Sequence, residues 1–167
     1  MLNFFQSVEK ILTINPPAYL QGGCVVETPW IVGQTADVKQ ILEFEARGYI
    51  IPDALKKLLL LANGIAFASV EQALYSIETI KELSVINAGT LKPGIYEFGY
   101  FMEDQLYIDS SRVKSENYIF YAGESFNEGV LLGYGMETFL DYLFASNFNN
   151  YWRWIQRSPE ILDYLVI

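Results

Sequence analysis

The chain predicts an α+β fold with a central antiparallel sheet, on three observations. Apolar residues recur at helical spacing in the first half and again from Met136 onward. Between them, residues 95–121 read as a meander of three aromatic and β-branched strands, Ile95–Phe101, Leu106–Asp109 and Asn117–Tyr121. Helices come first, then strands, then helices again, and this segregation speaks against alternating βαβ units.

The elements follow in order. Phe4, Phe5, Val8, Ile11 and Leu12 mark an amphipathic helix that stops before Asn15-Pro16-Pro17. Residues 15–34, rich in Pro and Gly, read as loop with a short strand at Cys24–Glu27. Val38, Ile41, Leu42 and Ala46 give a second helix, capped by the Asp37 carboxylate and left at Gly48. Pro52 suits the first turn of a third helix, and Asp53 sets negative charge against its dipole. Its stripe is Leu55, Leu58, Leu59 and Ala62, and Leu60 and Leu61 widen it to a helix buried on most sides. Asn63-Gly64 is the stop.

Glu71–Tyr75 reads as a short strand and Ser76 as the cap of a helix facing Ile77, Ile80 and Leu83 inward. In the meander, Met102-Glu103-Asp104-Gln105 fits a hairpin loop. Val130–Gly133 reads as an edge strand, and Phe139, Leu140, Leu143 and Phe144 as the face of a helix from Met136. Residues 151–155 and Pro159–Leu165 suggest closing helices. Trp152 and Trp154 lie two apart, so one helix cannot aim both inward.

At 167 residues, 51% hydrophobic and 16% aromatic, the chain suits one domain with a sizeable core. Its net charge is −9. Residues 95–141 carry Glu97, Glu103, Asp104, Asp109, Glu116, Glu124, Glu128, Glu137 and Asp141 against Arg112 and Lys114. Such a field repels phosphate backbones and steers a basic partner, so a protein partner is expected and nucleic acid is not. The N-terminus lacks the basic start and apolar run of a secretory signal. Leu58–Val70, broken by Asn63-Gly64, is too short for a membrane span. A cytoplasmic, non-membrane protein is the expectation.

With no histidine and one cysteine, Cys24, the commonest general base and the usual zinc sites are missing from the sequence. Cys24 reads as a small buried residue. No phosphate-cradling glycine motif opens a helix, and no EF-hand spacing is present. Carboxylates remain: Glu103, Asp104 and Asp109 surround one hairpin, and a pair of them would suit glycoside hydrolysis. The plainer reading of the three is a solvated loop. The aromatics Tyr96, Phe98, Tyr100, Phe101, Tyr107, Tyr118, Phe120 and Tyr121 exceed what so short a sheet is expected to bury, which leaves some for an interface.

Residues 37–146 also carry a resemblance. Ile51-Pro52-Asp53-Ala54-Leu55-Lys56-Lys57-Leu58-Leu59-Leu60-Leu61-Ala62-Asn63-Gly64 resembles the L-P-x-x-[YL]-K-x-[FL]-L-x-x-N-G helix of the SMI1/KNR4 (SUKH) superfamily. Gln72–Ile80 is similar to its strand-then-helix step, Tyr96–Gly99 and Leu106–Asp109 to its central strands, and Met136–Phe144 to its closing F-x-x-[FW]-L helix. Ile65 stands where a second glycine is common, the loop at 102–105 is not glycine-rich, and residues 151–167 have no counterpart. The resemblance implies an α+β domain with its core at 37–146 and no catalytic residues; residues 147–167 read as a helical extension of the same single domain over 1–167, and no cofactor or metal is expected. Many bacterial members are immunity proteins that bind and neutralise toxins, frequently nucleases. On that implication, Glu103, Asp104, Glu116, Glu124 and Glu128 would steer a basic toxin domain, and Tyr100 and Tyr118 would anchor it. A carboxylate hydrolase and a regulatory scaffold without a toxin are the alternatives.

Overall fold

The computed structural model describes residues 4–19, 25–26, 30–67, 72–123, 128–146, 151–152 and 160–164. Glu124, Cys24 and Trp154 lie outside them. The helices are α1 (Phe4–Ile14), α2 (Val38–Glu45), α3 (Asp53–Leu61), α4 (Ile77–Ile86) and α5 (Met136–Ala145). A small hairpin pairs β1 (Ala18–Tyr19) with β2 (Val25–Val26). Among the described residues the main sheet has eight strands: β3 (Trp30–Val32), β4 (Ile65–Phe67), β5 (Gln72–Leu74), β6 (Ile95–Phe101), β7 (Asp104–Asp109), β8 (Ile119–Gly123), β9 (Glu128–Leu131) and β10 (Glu160–Asp163). Spatial order follows chain order, and every pairing is antiparallel. The α+β expectation holds.

Local chemistry explains where the helices start. The Asp37 carboxylate accepts from the Lys39 N–H at 2.9 Å, and the Ser76 hydroxyl from the Thr79 N–H at 3.3 Å, each satisfying a donor that the first turn leaves orphaned. α3 ends before the expected Asn63-Gly64 stop, at Leu61, with Ala62 leaving the helix in an extended conformation (φ −151°). Gly64 takes φ +91° and turns the chain into β4. The Asn63 side chain meanwhile accepts from the Ile77 N–H at 2.8 Å and donates to Glu78 at 2.8 Å, tying the end of α3 to the start of α4.

The helices share one core. Val8, Phe44, Leu55, Leu58, Ile77, Ile80, Phe139 and Leu143 join Tyr96, Phe98, Phe101, Leu106, Ile108 and Ile119 in a single buried cluster. One sheet face is therefore covered by helices. The other carries a smaller cluster of Leu91, Ile95, Tyr107, Phe120, Ala122, Leu131 and Tyr164.

Several expectations are corrected. β3 and β4 fall where loop and unbroken apolar run were read, because each is three residues long and too short to show alternation. The 102–105 loop is a two-residue turn, Met102-Glu103, with Met102 at φ +59°. Residues 160–163 form β10, not a helix; they pair outside β9, so β9 is not the edge. Leu60 is 40% exposed, so α3 is buried on one side only. Six of the eight meander aromatics are buried, with only Tyr100 and Tyr121 partly open. Trp152 is fully buried against Phe101 and Phe139.

Candidate functional site

An irregularity in β6 determines what the uncovered face displays. Strand residues alternate between faces, so Tyr96 and Phe98 enter the helix-covered core while Ile95 and Glu97 face the other way. The register between β6 and β7 then shifts: Glu97 pairs with Tyr107 and Gly99 with Leu106, leaving Phe98 as the extra residue of a bulge. A bulge reverses the alternation beyond it. Phe101 consequently turns into the core, and Tyr100 joins Glu97 on the open face although the two are three residues apart. Gly99 suits the bulge, since a methyl there would stand 2.9 Å from the Ala73 carbonyl oxygen.

The result is a cleft of about 420 Å³ on the open face. Its lining comes from Tyr75 after β5, Glu97 and Tyr100 on β6, Gln105 and Tyr107 on β7, Gly123 on β8, Tyr164 after β10, and Asn87, Thr90 and Leu91 after α4. Tyr164 lies with its ring 5.3 Å from Tyr107 and 5.5 Å from Phe120, and its carbonyl accepts from the Lys92 N–H at 3.0 Å. That volume is in the range of small-ligand sites.

Glu97 sits at the centre. Only 8% of it is exposed, and the Tyr75 hydroxyl donates to its Oε1 at 2.9 Å. Burial raises its carboxyl above the ordinary value, against the opposing pull of that hydrogen bond. Burial and the nearby Glu97 charge raise Tyr75 and Tyr107 well above the ordinary phenol. Both hydroxyls therefore stay protonated and can orient towards the carboxylate.

The sequence-derived candidates divide into four groups. Tyr100 is half-buried in the cleft, and the exposed Glu103 and Glu128 lie at the same end of the sheet, at the turn after β6 and the start of β9. Glu116 is exposed in a left-handed conformation (φ +58°) at the opposite end, beyond Asp109. Five strand steps along β7 separate those ends by about 17 Å. Asp104 is not on the surface, which corrects its assignment, whereas Tyr118 lines a second cleft of about 240 Å³ together with Glu116. Asp104 is 1% exposed because it pairs with Phe101 on the core side and accepts from the Trp152 indole N–H at 3.0 Å. Tyr118 is 6% exposed, and its hydroxyl accepts from the Met136 N–H at 2.8 Å, capping α5, whose Gly135 has no side chain to do so. Glu124 lies outside the described residues.

The hairpin carboxylates do not assemble either. Glu103 is exposed, Asp104 enters the core, and Asp109 accepts from the Ser111 N–H and hydroxyl at 2.9 and 2.6 Å. Sequence reasoning missed the cleft residues Glu97, Tyr75, Tyr107 and Tyr164 as a group. One signal was available: Glu97 is a carboxylate amid a run of strand aromatics, where charge is costly unless it has a use.

Fold and cleft define a class: a two-layer α+β domain whose antiparallel sheet is covered by helices on one face and carries, among the described residues, a smaller buried cluster and the tyrosine-lined cleft on the other. No protein-family model, curated protein or solved structure matches the chain. Among the described residues no helix is long and apolar enough to cross a membrane, and no group of three or more Cys, Asp or Glu is placed to hold a metal ion.

Proposed function

We propose that this chain is a non-catalytic protein-binding domain of the SMI1/KNR4 type that neutralises a basic toxin domain by occlusion. The observation that carries the reading is the one-sided fold. With the helices gathered on one face, the other keeps an open, tyrosine-lined cleft, and the exposed Glu103 and Glu128 stand at one end of that sheet. Tyrosine supplies large contact area at low entropic cost, and rim carboxylates accelerate encounter with a cationic partner. The net charge of −9 acts in the same direction.

The docking end in this reading comprises Tyr100, Glu103 and Glu128. Asp104 and Tyr118 have structural roles. A hydrolase has less support, since one carboxylate, Glu97, lines the cleft among the described residues, where glycoside hydrolysis uses two. Co-expression with the protein encoded beside this gene, followed by pull-down, is the test. A stoichiometric complex that dissociates with rising salt is expected. Failure of two folded, co-expressed chains to associate at low salt would reject the toxin-binding reading.

A further inference from the structure

We infer that the cleft around Glu97 is a binding pocket for a single organic cation, an ammonium or guanidinium group. The inference is independent of any protein partner's identity.

Three features of the cleft support it. First, its chemistry is that of a cation receptor. Its lining holds a carboxylate, Glu97, four tyrosines (Tyr75, Tyr100, Tyr107 and Tyr164) and the amide of Gln105. Aromatic rings attract cations through their quadrupole, most strongly where water is thinned, and phenol oxygens accept hydrogen bonds from N–H donors. Second, among the described residues the carboxylate is held but not neutralised. Among the described residues its hydrogen-bond partner is the Tyr75 hydroxyl, and no lysine or arginine lines the cleft. A buried carboxylate without a cation is costly, and a ligand's positive charge would relieve that cost. Third, the strands impose the arrangement. Glu97 and Tyr107 are cross-strand partners, and the β6 bulge brings Tyr100 to the same face. The groups are therefore fixed before any ligand arrives, which lowers the entropic cost of binding.

Ammonium and guanidinium groups reach such a site either on a free small amine or on a lysine or arginine side chain of another protein. The volume of about 420 Å³ admits either. The carboxylate must be ionised to bind, so affinity should fall as pH drops through the raised Glu97 value. The titratable groups facing Glu97 among the described residues are tyrosines, of which burial holds Tyr75, Tyr107 and Tyr164 above the ordinary phenol value and so neutral over that interval.

The experiment titrates the full chain with choline, with its neutral isostere 3,3-dimethylbutan-1-ol, and with N-acetyl-arginine methylamide, following backbone amide shifts by NMR. Saturable shifts centred on Glu97, Tyr107 and Gln105 are expected for at least one cation, with none for the neutral isostere. Binding of choline assigns the site to small amines, and binding of the arginine derivative alone assigns it to a partner's basic side chain. Glu97→Gln keeps the shape and an acceptor for Tyr75, so it should remain folded, weaken the cation at least about tenfold and abolish the pH dependence. Equal binding of choline and its neutral isostere, no saturation by either cation, or undiminished affinity in folded Glu97→Gln would each overturn the inference. None of these results bears on the pull-down proposed above.

Discussion

At Glu97 a single side chain sets a conflict between folding and recognition. Its carboxyl value is raised by burial above the ordinary 4.5. Such an acid binds more protons in the folded than in the unfolded chain over the interval between its two values. Its contribution to stability is therefore fully present below the unfolded value and is lost as pH rises through the folded one. Glu97→Gln removes that penalty. Chemical denaturation should find the variant more stable than wild type at neutral pH by on the order of 1 kcal/mol, with the difference gone well below pH 4.5. An equal difference at both pH values would show that the carboxyl charge is not responsible. Asp104 is buried on the other side of the sheet, in the helix-covered core, where it accepts from Trp152. Trp152→Phe keeps most of the ring packing against Phe101 but deletes the indole N–H held at 3.0 Å by Asp104. Leaving a buried acceptor short of this donor should cost about 1–3 kcal/mol in the same assay. A variant as stable as wild type would mean that the bond contributes nothing net.

Among the elements, those whose signals are local were legible and those that depend on distant partners were not. The Asp37 and Ser76 caps and the helices α1, α4 and α5 are written in neighbouring residues, and the structure places each where the sequence did. β3, β4 and β10 are three or four residues long and exist because a neighbouring strand offers its edge, which no local pattern reports. The cleft was hidden for a related reason. Strict alternation from Glu97 puts Gly99 and Phe101 on its face, whereas the bulge substitutes Tyr100. Tyr75 and Tyr164 come from segments 89 residues apart in sequence. A close approach tests the strand pairing on this face. The Phe120 ring lies over Gly129 of β9, where any Cβ would overlap it. Gly129→Ala should cost about 1–3 kcal/mol by forcing the ring or strand aside. Gly89→Ala, which meets nothing within 4 Å, should be neutral or slightly stabilising. Matching melting temperatures for the two variants would contradict the observed packing of β8 on β9.

For the whole molecule, gathering the helices on one face makes the two faces of the sheet unequal in packing. One face is committed to the core, and in the proposed reading the cleft on the other meets a partner beside the exposed Glu103 and Glu128. Long-range charge and local contact then make separable contributions. Exposed carboxylates act on the rate of encounter and are screened over about 8–10 Å at physiological salt, whereas groups in the cleft act on the lifetime of the complex. Glu103 and Glu128 share one end of the sheet, and Glu116 lies about 17 Å away along β7. With the partner recovered by co-expression, the double reversal Glu103→Lys and Glu128→Lys should slow association about tenfold at low salt and flatten its salt dependence, leaving dissociation little changed. Glu116→Lys should leave the rate within about twofold, because its charge is screened from a partner docking at the other end. Stopped-flow association at two ionic strengths separates these outcomes. If Glu116→Lys proved the more damaging change, the docking surface would lie at the Glu116 end, and the cleft would have to be explained without the acidic rim.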